Sequence, residues 1–215
     1  MVRVIAIDGP AGSGKSTVAR ALATRLGLDY LDTGAMYRAV TFAVLRQMID
    51  PDEVDQVAAL AQELALDVVD STVMVDGVDA SLEIRGPEVT SAVSIVAANP
   101  GVRAELVYRQ RQWAEKHGGG VIEGRDIGSV VFPDAELKVY LTASQHVRAE
   151  RRHKEAADLD YQQTRAMIAD RDALDSTRAD SPLTEPEGAV LVDTSDLEID
   201  EIVDRLVELL DSSDA

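Results

Sequence analysis

The chain has no cysteine. That excludes disulfides and thiolate metal sites, and it fits a cytosolic enzyme. No apolar run approaches the length of a membrane span, so no membrane partner is expected. Residues 1–7 offer an apolar strand but no signal-peptide architecture. Positive charge is scarce: 21 Lys and Arg stand against 39 Asp and Glu, a formal net charge of −18. Such a balance disfavours nucleic-acid binding, which needs a basic face, and over most of the surface it reads as solubility. Lysine is rarer still, present only as Lys15, Lys116, Lys138 and Lys154. Nearly all positive charge is therefore arginine, which grips phosphate oxygens two at a time and stays ionised. There is no internal repeat or low-complexity run. With 215 residues and 46% hydrophobic content, the chain can bury one substantial core, with room for an inserted lobe.

The most informative stretch is Gly9-Pro10-Ala11-Gly12-Ser13-Gly14-Lys15-Ser16-Thr17, which fills G-x-x-x-x-G-K-[ST] without a gap. Val4-Ile5-Ala6-Ile7 before it reads as a buried strand. Val18, Leu22 and Leu26 after it read as a helix closed by Gly27. Strand, glycine loop and helix together make a phosphate site. The glycines let successive N–H groups curl around a phosphate, and the helix beginning near Lys15 adds the positive end of its dipole. Lys15 can reach the β- and γ-phosphates, and the Ser16 hydroxyl can ligate Mg²⁺. The loop implies a bound nucleoside triphosphate without saying what its phosphate is for.

Five short apolar segments, 4–7, 29–31, 121–123, 137–141 and 189–193, alternate with helical patterns. This predicts an α/β fold on a largely buried, parallel sheet. One region breaks the alternation. After a helix at about 35–48, Asp50 is expected as an N-cap, with Pro51 at the first helical position and Glu53 closing a capping box. A small antiparallel sheet at about 66–85 follows, with Asp76-Gly77 as its hairpin turn. Pro87 and Pro100 open two further helices, the second capped by Asn99, and Gly118-Gly119-Gly120 returns the chain to the sheet. A charge-dense helix at about 144–157 leads through a mobile turn, Asp158-Leu159-Asp160, into a helix at about 161–174. Residues 211–215 are expected to fray.

Three further segments bear on chemistry. Asp32-Thr33-Gly34-Ala35-Met36-Tyr37-Arg38 follows the second strand, with Thr33 as cap and Arg38 one turn into the helix. An ordinary cap with a surface arginine explains it as well as a ligand site does. Glu123-Gly124-Arg125-Asp126-Ile127-Gly128 ends a core strand with an acid that can hold Mg²⁺ through water, and its glycines expose Arg125 and Asp126. Arg148 shares a helix face with Arg151 or Arg152. Either Glu150 and Glu155 pair with this series on a solvated helix, or a lid carries it onto a phosphoryl group.

Gly-Pro-Ala-Gly-Ser-Gly-Lys-Ser-Thr, Asp-Thr-Gly-Ala-Met-Tyr-Arg, Gly-Arg-Asp-Ile-Gly-Ser-Val-Val-Phe-Pro and Arg-Asp-Ala-Leu-Asp-Ser-Thr-Arg together resemble bacterial cytidylate kinases. The resemblance runs from residue 4 to about 194. It implies a P-loop NTPase-type three-layer α/β fold with a five-stranded parallel sheet, an inserted antiparallel sheet in the monophosphate-binding lobe, and a helical lid. It implies one kinase domain over 1–215. The core would occupy about 1–33, 118–147 and 175–215, a CMP-binding insertion about 34–117, and the lid about 148–174. The implied activity moves the γ-phosphoryl of ATP to CMP or dCMP, with Mg²⁺, in a cytoplasmic monomer.

Under the resemblance, Gly9 to Thr17 bind ATP, and Arg38 and Arg125 grip the CMP phosphate. Thr33, Arg103, Asp126 and Arg178 surround the base, Ser94, Arg171 and Asp175 lie near the sugar, and Tyr37 belongs to the same CMP site. Arg148, Arg151 and Arg152 fall in the lid. Ser16 and Glu123 are the metal candidates. Some relatives carry serine at 33 and aspartate at 123. Because the acceptor is already an ionised phosphate, Lys15 and the arginines would be catalytic electrostatically. The neighbouring alternative is a P-loop kinase with a UMP or shikimate-like acceptor. A guanine-binding switch is disfavoured, since no lysine sits in an Asn-Lys-x-Asp segment.

Overall fold

A computed structural model describes residues 2–69, 71–155 and 160–213. The chain divides into two compact units, residues 1–30 with 117–215, and residues 31–116.

In the first unit, strand β1 (Arg3–Asp8) leads through the glycine loop into helix α1 (Lys15–Leu26), and strand β2 (Tyr30–Asp32) begins there. The chain returns with β6 (Gly119–Gly124), a short π-helical segment (Ile127–Val131) and β7 (Leu137–Thr142). Helices α6 (Gln145–Glu155) and α7 (Tyr161–Thr177), strand β8 (Val190–Asp193) and helix α8 (Ile199–Ser213) complete it. The sheet order is β2-β6-β1-β7-β8. β1 sits at its centre, running parallel to β6 (Asp8 opposite Gly124) and to β7 (Asp8 opposite Tyr140). Ile5 and Ile7 of β1 share a face with Val121, Val139, Leu141 and Val192. Val18 and Leu22 of α1 and Ile202, Val203, Leu206 and Leu210 of α8 pack onto that face. Ala6 and Ile122, which alternate to the opposite face, are also fully buried. Two-sided burial explains why these strands read as continuous apolar runs.

In the second unit, helix α2 (Thr33–Arg46) packs on α4 (Pro87–Ala98), alongside α3 (Val54–Glu63) and α5 (Pro100–His117). Strands β3 (Leu66–Val69), β4 (Thr72–Val75) and β5 (Val78–Asp79) form an antiparallel sheet. Its tight turn is Asp76-Gly77, with φ of 49° and 76°, the left-handed pair that a two-residue hairpin requires. The Asp76 carboxylate also accepts the Ala65 N–H at 3.0 Å. Pro87 and Pro100 open α4 and α5 as expected, and Asn99 accepts from Gly101 N–H at 2.9 Å.

Several local expectations give way. Asp32, not Thr33, caps α2, accepting the Ala35 N–H at 2.9 Å, and Thr33 is already helical. α3 starts at Val54, with Glu53 at its cap position and no side-chain cap. Asp50 instead takes the Asp52 N–H at 3.1 Å, and its carbonyl takes that of Glu53. The carboxylate closed a local turn in preference to a capping box. Asp160 caps α7 through a full capping box with Gln163, and α7 runs on to Thr177. Asp158 and Leu159 of the expected turn lie outside the described residues, as do Asp214 and Ala215. α8 continues to Ser213 rather than fraying at 211. Among the described residues, no helix is long and apolar enough to cross a membrane.

The α2 cap gives a test. Asp32→Ala is expected to cost about 1 kcal/mol in a urea melt, and Asp32→Asn only a few tenths. Equal losses for both would mean that the ion pair with Arg85 at 3.6 Å, not the cap, carries the effect.

Candidate active site

The glycine loop turns sharply between β1 and α1. Gly9 has φ 149°, and a Cβ there would sit 2.0 Å from the Leu141 carbonyl oxygen. Only glycine lets the loop leave the sheet this close to β7. Gly14 is left-handed and precedes α1. Lys15, the first helical residue, is buried, and its Nζ donates to the Pro10 carbonyl at 2.8 Å. Ser16 and Thr17 are exposed.

Lys15 does not stand alone. Burial, Arg125 and Arg171 push its pKa down to about 7, against the opposing pull of Glu123 and Asp8. Arg125 follows β6 and donates through Nε to Asp175 on α7 at 2.9 Å. Burial disfavours the Arg125 charge, but Asp175, Glu123 and Asp172 more than offset it and hold the guanidinium above its ordinary value. Arg171, on the same helix as Asp175, lies 3.9 Å from that carboxylate, and its buried Nε has no hydrogen-bond partner. Burial and Arg125 bring it down to about 10. Burial acts to raise Asp175, yet Arg125 and Arg171 outweigh it and keep the carboxyl below its usual range. Buried Asp126 and half-buried Arg178 face each other at 3.6 Å, and Arg178 Nε donates to the Ser181 carbonyl at 2.6 Å.

Arg148 and Arg151 of the expected lid series are tied down rather than solvated. Arg148 donates from Nε to the Ala143 carbonyl at 3.1 Å and from Nη1 to the Ala11 carbonyl of the loop at 3.2 Å, and it pairs with Asp172 of α7. Glu150 faces His146 at 3.4 Å instead, and the Glu155 side chain lies outside the described residues. Arg151 donates twice to Thr194, to its hydroxyl at 2.8 Å and its carbonyl at 2.7 Å. Arg152 is half-buried on the same helix.

The second unit holds the remaining candidates. Arg38 is buried, donating through Nη1 to the Ile84 carbonyl and to Thr90 Oγ1, both at 2.9 Å. Arg103 lies over the Tyr37 ring at 5.8 Å and reaches the Ala97 carbonyl at 3.5 Å. Thr33 is buried and Ser94 half-buried, one turn along α4 from Thr90.

Sequence reasoning missed four residues of consequence. Asp8 ends β1 fully buried, and its two oxygens accept the N–H groups of Ile127 and Gly128, both at 2.8 Å. Burial pushes its carboxyl up to about 6. An acid ending a strand directly before Gly9 was a readable signal. Tyr30 donates its hydroxyl to Glu123. Asp172 lay inside the Arg171–Arg178 motif without a role of its own, and Thr194 carried no sequence signal.

Ser16, Glu123 and Asp8 form an oxygen-only donor set, which suits a hard cation such as Mg²⁺. Both Asp8 oxygens are already hydrogen-bonded, and Glu123 accepts from Tyr30. The carboxylates would therefore reach such an ion through water, and the exposed Ser16 would be the candidate for a direct protein ligand. Among the described residues, no cluster of three His, Asp or Glu could hold a metal alone. An ion held largely by substrate phosphates fits that arrangement.

A family model described as cytidylate kinase matches residues 5–212. The chain belongs to the cytidylate kinase family. A protein named cytidylate kinase from Corynebacterium efficiens is 51% identical over 220 residues, covering 98% of this chain and 95% of that one. Another of that name, from Caldanaerobacter subterraneus subsp. tengcongensis, is 48% identical over 210 residues, covering 96% and 93%. A solved structure of an uncharacterized protein from Eubacterium ventriosum matches with a TM-score of 0.56 at 15% identity, covering 98% and 99%, a likeness of fold alone.

The lowered Lys15 pKa gives a signed prediction. With Lys15 at about 7 when free, a bound polyphosphate raises it, so binding above pH 7 takes up a proton. ATP affinity is expected to fall between pH 7 and 9, by up to about tenfold per unit. Titration calorimetry at pH 8 in buffers of different ionisation enthalpy reads the uptake, and Lys15→Met abolishes it. A pH-independent affinity would refute the assignment.

Proposed function

We propose that this member of the cytidylate kinase family transfers the γ-phosphoryl group of ATP to CMP or dCMP, giving ADP and CDP or dCDP. The observation that carries the reading is the convergence of Arg125 and Arg171 on Asp175, at 2.9 and 3.9 Å, with the buried Lys15 near enough for both to lower its pKa. A cluster of one buried and two half-buried cations whose charges oppose one another is suited to meet polyanions, and this one joins the triphosphate loop to the Arg125–Asp126 segment. Two anionic substrates brought together need their repulsion neutralised and their reacting groups aligned, more than they need covalent help.

Lys15 serves the β- and γ-phosphates as a point charge, and the loop amides cradle them. Ser16, with Glu123 acting through water, would hold Mg²⁺, which would supply further neutralisation of phosphate charge. Arg125, fixed by Asp175, and Arg38, fixed by Ile84 and Thr90, take the acceptor phosphate. Thr33, Tyr37, Arg103, Asp126 and Arg178 recognise the base. An Asp126 carboxylate accepts from the cytosine 4-amino group and faces the uracil carbonyl unfavourably, which is the kind of contact that discriminates strongly. Ser94, Arg171 and Asp175 serve the sugar. The family resemblance extends charge neutralisation to Arg148, Arg151 and Arg152, in a lid at about 148–174 that excludes water as a competing acceptor. The insertion at about 34–117 binds the monophosphate. A cytoplasmic monomer without nucleic-acid or membrane partners completes the reading.

The test is a panel of initial rates with ATP against CMP, dCMP, UMP, AMP and shikimate. CMP and dCMP are expected to lead, and Arg38→Ala to lower the rate with CMP by about 10²–10³. Asp126→Ala is expected to erase the CMP preference over UMP. A shikimate or UMP optimum in the wild type would replace the proposed acceptor, and an intact preference in Asp126→Ala would remove the base contact.

A further inference from the structure

Thr194 follows β8 and belongs to none of the sequence motifs, yet it is 1% exposed and lies at the junction of three elements. Its Oγ1 donates to the Ser13 carbonyl of the glycine loop at 3.0 Å and accepts from Arg151 Nη1 of α6 at 2.8 Å. Its carbonyl accepts from Arg151 Nη2 at 2.7 Å, and its N–H donates to the Thr142 carbonyl at the end of β7 at 2.8 Å. The turn that carries it is itself secured. Asp193 accepts from the backbone N–H and the hydroxyl of Ser195, which hold its carboxyl below the usual range. Ser195 Oγ in turn accepts the Ser144 N–H just before α6 at 2.9 Å.

We infer that Thr194 is a positioning residue that passes the anchoring of Arg151 to the glycine loop and so sets the direction of a phosphate-binding amide. The step follows from peptide geometry. In a planar trans peptide the carbonyl of one residue and the N–H of the next point in opposite directions. Thr194 holds the Ser13 carbonyl, so the Gly14 N–H is aimed away from Thr194. In a loop of this kind, that is the side on which amides gather around phosphate. Gly14 is left-handed with φ 86°, so its neighbouring peptides face little of the steric restriction that a side chain would impose. An external hold on the Ser13–Gly14 peptide is therefore useful here. The Thr194 hydroxyl has one hydrogen, which it gives to Ser13, and the lone pair facing Arg151 keeps that hydrogen from turning the other way. Arg151, to which the family resemblance gives direct charge neutralisation, here donates from both Nη groups to Thr194 and so serves the donor nucleotide through the loop backbone instead.

The inference rests on the proposed kinase reading, and the experiment separates the two. Steady-state constants for ATP and CMP are measured for wild type, Thr194→Val, Thr194→Ser, Arg151→Met and the double variant Thr194→Val with Arg151→Met. ATP binding is titrated in parallel without CMP. Thr194→Val keeps the shape and removes the hydroxyl. It is expected to raise the KM and Kd for ATP about tenfold while the KM for CMP stays within about twofold. Thr194→Ser restores ATP affinity. Arg151→Met shifts ATP affinity in the same direction, and the double variant is no worse than Thr194→Val alone, as coupled residues require. An unchanged ATP affinity in Thr194→Val overturns the inference, and so do additive effects of the two substitutions. If Thr194→Val does not fold, Arg151→Met decides: a change confined to kcat or to CMP overturns the inference. Failure of the wild type to phosphorylate CMP would count against the kinase reading alone, because the ATP titrations still report on the loop.

Discussion

Lys15, Arg125 and Arg171 repel one another inside a site that also withholds water, and most of the surrounding architecture answers that repulsion. Burial alone would favour neutral lysine, and two nearby guanidinium groups push the same way, which brings Lys15 to about 7. The arginines cannot discharge in this way, so carboxylates must hold them. Asp175 faces both, and Asp172 and Glu123 contribute further attraction to Arg125. Cations and carboxylates thus alternate in the cluster, which concentrates guanidinium and ammonium groups at one place in a chain whose formal net charge is −18. An acidic surface is compatible with such a site because short-range charges in a buried environment outweigh screened charges at a distance.

The sheet makes that cluster possible. Parallel strands end together at one edge, and the loops that leave this edge bring distant segments within contact. β1 ends in Asp8 and β6 in Glu123 and Gly124, in neighbouring register. Asp8 holds the start of the segment after Arg125 and Asp126 through the Ile127 and Gly128 amides. The loop that receives the donor and the segment that carries Arg125 are therefore joined through one buried carboxylate at the end of the central strand. Burial lifts that carboxyl to about 6, while its two amide donors and Lys15 favour the ionised form.

Legibility in the sequence followed the range of the interactions. The glycine loop, the Asp76-Gly77 hairpin and the prolines opening α4 and α5 were readable because each is decided by the backbone needs of a few adjacent residues. So were the five strands, whose two-sided burial leaves unbroken apolar runs. Caps were less secure. Asp32 and Thr33 are both competent, and only the observed path of the backbone puts the carboxylate on Ala35 N–H. Asp50 has the right chemistry for a cap but satisfies a turn first. The residues that hold the arginines were least visible. Asp172 lies in a recognised motif, but its pairing with Arg148 depends on α6 and α7 packing together. Thr194 meets Ser13 across 181 positions of sequence, a distance no local pattern encodes.

That ordering explains why arginine so outnumbers lysine here. A lysine in such a cluster can shed its proton, as the lowered Lys15 shows, and a neutral amine no longer attracts phosphate. Arginine stays charged through the same burial, and its planar fork can be braced from one side while another N–H remains directed toward a ligand. Arg125 is braced through Nε on Asp175, and Arg38 through Nη1 on Ile84 and Thr90. Bracing removes rotamer freedom before the anion arrives, so less of the binding energy is lost in ordering the side chains. The lysine is kept where its chemistry differs, at the start of α1, where a compact charge and the helix N-terminus act on the same phosphates. The division of labour between one lysine and several braced arginines therefore follows from how each cation responds to burial beside its own kind.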